Sequence, residues 1–143
     1  MGLVEIASEN SVWRGIDYCN NKKVLSWHKS GSQEYKGRVS GSDNAVYDVC
    51  IDKEHPRKST CTCPFAEGRR VVCKHMIALL FTAEPKAKED FLDEVERWEA
   101  EEEQREQEHY NDLKKYVKSL SKSELQIQLL NALIQLEERR YYW

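Results

Sequence analysis

The sequence predicts an α+β protein in which a small antiparallel sheet comes first and a helical region comes last. Three observations predict it. Between Lys23 and Ile51 the apolar residues recur with a period of two, broken by turn residues. A short segment, Cys61-Thr62-Cys63 to Cys73-Lys74-His75, gathers three of the five cysteines and one of the four histidines. After Pro85 the period becomes helical and charge dominates.

In chain order, residues 1–10 carry no pattern and are expected to be loose. Ser11–Asn20 suits one short helix with Trp13, Ile16 and either Tyr18 or Cys19 turned inward, and Asn20-Asn21-Lys22 reads as a turn. Val24–Trp27, Tyr35–Val39 and Ala45–Ile51 read as three strands of a meander, joined at Ser30-Gly31-Ser32 and at Gly41–Asn44. In the third strand Tyr47, Val49 and Ile51 share a face. Asp52–Thr60, with Pro56, leads into the cysteine segment.

Three sulfurs and an imidazole form the donor set of a structural, tetrahedral zinc site. Residues two apart diverge on a helix, where only i+3 and i+4 neighbours share a face. Cys61 and Cys63 therefore require a turn or knuckle, which Pro64 suits. Cys73 and His75 can converge only if Cys73 stands at or before a helix start, with His75 in the first turn. Met76–Phe81 supplies that helix, with no breaker before Pro85. One class of [2Fe–2S] proteins also uses three cysteines and a histidine, but it spaces its last cysteine and histidine by three residues, where this chain has one. One Zn²⁺ per chain, held by Cys61, Cys63, Cys73 and His75, is the expected cofactor.

The spacing C-x-C…C-x-H resembles the SWIM zinc finger, here in a small stand-alone form. Pro64 after the second cysteine, Lys74 between the last two ligands and the apolar helix from Met76 are similar to that family. Arg14-Gly15 with Tyr18 resembles a weaker feature of small bacterial members. The resemblance implies a ββα finger, here about residues 47–82, so that the meander leads into a ββα zinc finger followed by a C-terminal helical region.

That region, 86–143, is expected to be a second domain of two helices, distinct from 1–85. Residues 1–85 carry twelve Lys and Arg against ten Asp and Glu, a net +2, whereas 86–143 carry ten against fifteen, a net −5. Mean hydropathy is −0.77, so part of the chain is expected to lie outside any core. Phe91, Val95 and Trp98 mark a buried stripe, Glu99–Glu108 a solvated helix or linker, and Tyr110, Leu113 and Val117 a second stripe. Ser121–Glu124 is a capping box, stapled by Leu120 and Leu125. The last helix bears Leu125, Leu129, Leu133 and Leu136, flanked by Ile127, Leu130 and Ile134. That arc is wide for a surface helix and is expected to cover the sheet, pair with the preceding helix or meet another chain. The aromatics of Arg139–Trp143 have no evident burial.

Four protein ligands leave a zinc ion no open position for water or substrate. The chain also has no C-x-x-C pair, Gly-rich phosphate loop or nucleophile elbow. No enzymatic activity and no small-molecule substrate are expected. His28, His55 and His109 read as ordinary surface or partly packed histidines, and Cys19 and Cys50 as small core fillers. The odd cysteine count is no secreted disulfide framework, and the N-terminus lacks a signal peptide. An intracellular location, cytoplasmic, nucleoid or nuclear, is expected, with no membrane association.

Two functional classes remain. The resemblance implies either a protein-interaction adaptor, placed in some SWIM proteins within DNA-associated complexes, or direct, sequence-nonspecific binding of nucleic acid. Arg57, Lys58, Arg69, Arg70 and Lys74 crowd the ligands, and Phe65 could stack on a base. These cations equally suit the net −1 of three thiolates on one Zn²⁺. The excess of +2 is small for a strong DNA binder, and the acidic second half favours a protein partner.

Overall fold

The computed structural model describes residues 2–141, so Tyr142 and Trp143 lie outside the described residues. The fold is α+β, with a four-stranded antiparallel sheet in the order β1-β2-β3-β4. Two compact units divide after Asp93.

The N-terminus is ordered where a loose segment was expected. Helix α1 (Leu3–Ile6) buries Leu3, and the Glu5 carboxylate accepts from the Gly2 amide. Helix α2 (Glu9–Asn20) starts earlier than Ser11 because Ser8 caps it, its hydroxyl accepting from Ser11 N–H. Val12, Gly15 and Ile16 form its buried face. Trp13, expected inward, is 37% exposed and meets Phe91 edge-on at 5.6 Å between centroids.

Strands β1 (Val24–Gly31), β2 (Glu34–Ser40) and β3 (Val46–Asp52) form the expected meander. The first two strands are longer than the apolar pattern, the third is shifted by one residue, and the first hairpin tightens to Ser32–Gln33. Tyr35 pairs with Ile51, Gly37 with Val49 and Val39 with Tyr47, so one face of the sheet is apolar along β2 and β3. A fourth strand, β4 (Thr60–Cys61), was not expected; it pairs with Val49 and Cys50 at the edge of β3.

Helix α3 (Lys74–Ala83) lies between this face and α2, and every residue from His75 to Phe81 is buried. A helix apolar all round belongs inside a core. Two glycines let its neighbours approach it. A Cβ on Gly15 of α2 would come within 2.5 Å of Ile77 Cγ2, and one on Gly37 of β2 within 2.9 Å of Leu79 Cδ1. At the C-terminal end of α3, the Lys53 ammonium after β3 pairs with Glu84 at 2.7 Å.

Pro85 begins helix α4 (Pro85–Ser119), which is about 52 Å long at 1.5 Å per residue. The expected stripe is half-buried at Phe91 and Val95 and exposed beyond them. Phe91 packs near Phe81, at 6.2 Å between ring centroids, whereas Trp98 is 57% exposed. Glu99–Glu108 is helical and exposed throughout. Helix α5 (Lys122–Tyr141) opens on the capping box: Glu124 N–H donates to Ser121 Oγ at 3.2 Å, and Ser121 N–H to the Glu124 carboxylate at 3.4 Å. Every described residue of α5 is exposed. Among the described residues, no helix is long and apolar enough to cross a membrane.

Gly15→Ala should destabilise the fold by about 1–3 kcal/mol, the usual range for overpacking a tight contact. Because the displaced helix carries a ligand histidine, the variant should also release metal at lower denaturant. Guanidinium titration of the zinc-loaded proteins, followed by far-UV circular dichroism and a zinc-sensitive dye, measures both.

Candidate metal centre

Each ligand is delivered by a different piece of local structure. Cys61 ends β4, which is pinned to β3 beyond its own two residues. Asp48 N–H donates to Thr62 Oγ1 at 3.0 Å, and Thr62 N–H to Asp48 O at 3.2 Å. The extended backbone brings Cys61 and Cys63 to one side, since side chains alternate along a strand. The chain then turns: Ala66 and Glu67 N–H both donate to Cys63 O, at 3.1 and 2.9 Å. Gly68, at φ 71°, occupies the left-handed region within this turn. Cys73 is the N-cap of α3, and His75 lies in its first turn, the arrangement that the one-residue spacing demands.

The four side chains are buried, and their ligand atoms lie within 4.8 Å of one another. His75 Nδ1 is 3.8 Å from both Cys61 Sγ and Cys73 Sγ. Tetrahedral bonds of about 2.3 Å to sulfur and 2.0–2.1 Å to nitrogen imply S···N separations of about 3.6 Å. Nδ1 is therefore the nitrogen placed to bind, which leaves the proton on Nε2. That atom is buried without a hydrogen-bond partner. The rings of Tyr47 and Tyr18 flank the imidazole, at 4.9 and 5.4 Å between centroids.

The thiols influence one another's protonation. The hydrogen bond between Cys61 and Cys73 raises the first and lowers the second, Cys73 to about 4, with His75 and the Met76 amide adding to the lowering. Burial raises Cys63, and the neighbouring Cys73 raises it further. The packing thus favours the thiolate at Cys73 and the protonated thiol at Cys61 and Cys63.

The geometry and donor set fit one Zn²⁺, held by Cys61, Cys63, Cys73 and His75. The ion supplies charge and cross-linking to the fold. Comparison with known families agrees: residues 39–84 match the model described as the SWIM zinc finger. The match covers about a third of the chain and takes in β3, β4 and α3, the expected ββα unit. Neither the curated proteins nor the solved structures gave a match.

The six further candidates separate. Arg57, Lys58, Arg69 and Arg70 line one open cleft of about 860 Å³, walled also by Ile6 and Glu67. Phe65 stands beside it, 51% exposed, with the Arg69 guanidinium 5.2 Å above its ring. Lys74 is not on the cleft; its ammonium sits 4.9 Å from the Tyr18 ring centroid. Sequence reasoning missed the two tyrosines beside His75. Their available signals were the alternation that put Tyr47 on the Val49 face and the inward turn considered for Tyr18.

Cys63→Ala should lose zinc and unfold the segment from Thr60 into α3, whereas Cys19→Ala should keep one zinc per chain by elemental analysis. Binding must expel the protons of Cys61 and Cys63, both raised above their ordinary value, so affinity rises with pH. More than one proton should leave per zinc near neutrality, with log K climbing more than one unit per pH unit. Calorimetry in buffers of different ionisation enthalpy reads this number directly.

Proposed function

We propose that this chain is a non-catalytic interaction module, in which the zinc unit is a folded platform and the helices beyond it engage a protein partner. The observation that carries this reading is the surface of α5. Leu129 is 62% exposed, Ile127 61%, Leu130 59% and Leu136 57%. Contiguous apolar surface of this extent marks an interaction site on a soluble protein. The four-ligand metal set supports the non-catalytic part, since it leaves no coordination position for a substrate. Capture experiments test the reading. The full chain, but not a Leu129→Glu/Leu133→Glu variant with intact zinc content, should retain a protein bound through α5, either a second copy or another protein. Equal retention by both would sink it.

A second reading is favoured by the cleft, where four cations face one concave surface against a single acid, Glu67. In that reading the module binds nucleic acid through phosphates, without base readout, because α3 is buried and offers no helix to a groove. The alternative role of these cations is to offset the metal site's net −1. Replacing Arg69 and Arg70 with Gln should lower the log–log salt slope of duplex binding by about 0.9 for each phosphate no longer neutralised. Anisotropy across a salt series decides. No binding by the zinc-loaded parent at low salt removes this reading.

A further inference from the structure

We infer that the partner covering α5 is a second copy of this chain, its α5 running antiparallel to the first. The inference rests on the reading of α5 as an interaction surface and names its occupant.

A two-fold interface requires a surface complementary to itself. The centre of α5 meets this requirement when the helix is read in both directions from the Leu129–Leu130 pair. Leu129 answers Leu130 near the middle of the arc, where Leu133 also answers Gln126; Leu125 and Ile134 answer each other nearer its edges, as do Ile127 and Ala132. Antiparallel helices related by such an axis set these positions at the same level, and those near the middle of the arc face one another. The charges at the two ends follow the same register. Residues 125–136 carry none. At about 100° per residue, Lys122 and Glu137 fall within the apolar arc, near its middle, whereas Glu124, Glu138 and Arg139 fall outside it. In the same antiparallel register Lys122 answers Glu137, so each end of the seam closes on an opposite charge. Arg140 shares this face, but its counterpart is Ser119, beyond the start of the facing α5. Parallel pairing would set Lys122 beside its own copy and Glu137 beside its own.

The extent is also right. The apolar residues of α5 span roughly 220° of its circumference, wider than a two-helix seam and suited to a bundle. Near its end α4 supplies a narrower exposed stripe, Tyr110, Leu113 and Val117. Together these ten side chains, 37–62% exposed, offer apolar surface on the scale of a standard interface, about 800 Å² per partner. The surface ends where α4 becomes Glu-rich, since Glu99–Glu108 has no apolar face to extend it.

Sedimentation equilibrium on the zinc-loaded full chain tests this. A dimer is expected at about 10 µM, within reach of an interface of standard size. Leu129→Glu/Leu133→Glu should weaken it by more than about a hundredfold, the effect of removing two buried leucines, at unchanged zinc content. Lys122→Glu should weaken it by about fivefold, and adding Glu137→Lys in the same chain should restore it. A dimer that survives the leucine changes, or a Lys122→Glu chain that the second charge reversal does not rescue, overturns the antiparallel pairing. A monomeric parent that still captures another protein through the same leucines overturns the self-pairing and keeps the interaction-module reading. A monomeric parent that captures nothing overturns both.

Discussion

The fold depends on holding the N-terminus of α3 where the core needs it. Ten residues are too few for a helix to persist alone in water, and this one is enclosed on both sides, by α2 and by the sheet. Its burial supplies the apolar contact, but its first turn faces a stretch that cannot hold it by backbone pairing. From Thr62 to Val72 the chain has no regular structure, and β4 has only two residues. A strand that short adds little by hydrogen bonding. Coordination does what backbone pairing does not, because one ion joins the edge of the sheet, the turn at Cys63 and the helix start. The same ion removes a cost that the apo site would carry, since three sulfurs and an imidazole packed within 4.8 Å repel one another when ionised and are poorly solvated when not.

This dependence explains which features could be read in the sequence. The ligands were legible because metal chemistry restricts both residue type and spacing, and the N-cap position of Cys73 follows from helix geometry alone. The capping box at Ser121 and the break at Pro85 were legible for the same reason: each is a local rule needing no tertiary context. What escaped was determined at a distance. Two residues of β4 fall below any periodic signal, and they pair only because β3 is already there. Leu3 is buried in a segment with no pattern of its own. The cleft is assembled from Ile6, from residues 55–62 and from residues 66–70, so no one window contains it. Trp98 looked like part of a buried stripe because helical period reports a face, not whether anything packs against it.

The helices beyond Asp93 make that last distinction concrete. The centre of α4 has no apolar face, and it is supported by side-chain pairs along its own surface, such as Gln104 with Glu108 at 3.1 Å and Gln107 with Asn111 at 3.2 Å. Such pairs each contribute a few tenths of a kcal/mol, about 0.2–0.5. They keep a solvated helix formed without fixing what it packs on. Apolar residues return only at Tyr110 and continue through α5, where none of the described side chains is buried. An apolar pattern left exposed on a helix is a local preference, set by period and not by a packing partner.

The metal site is enclosed. Its ligands are 1–4% exposed, with Cys73 at 1% and His75 at 4%, and two tyrosine rings close over the imidazole. Whatever the finger does, it does through surfaces that coordination shapes. Those surfaces differ in kind. The turn that holds Cys63 also carries Arg69 and Arg70 into a concave, cationic cleft, so loss of the ion would disperse that charge. The α5 surface is apolar, uncharged over its central residues, and built by helix periodicity rather than by coordination. Removing the metal should therefore affect the two unequally, because only the cleft is made from the segment that coordination orders.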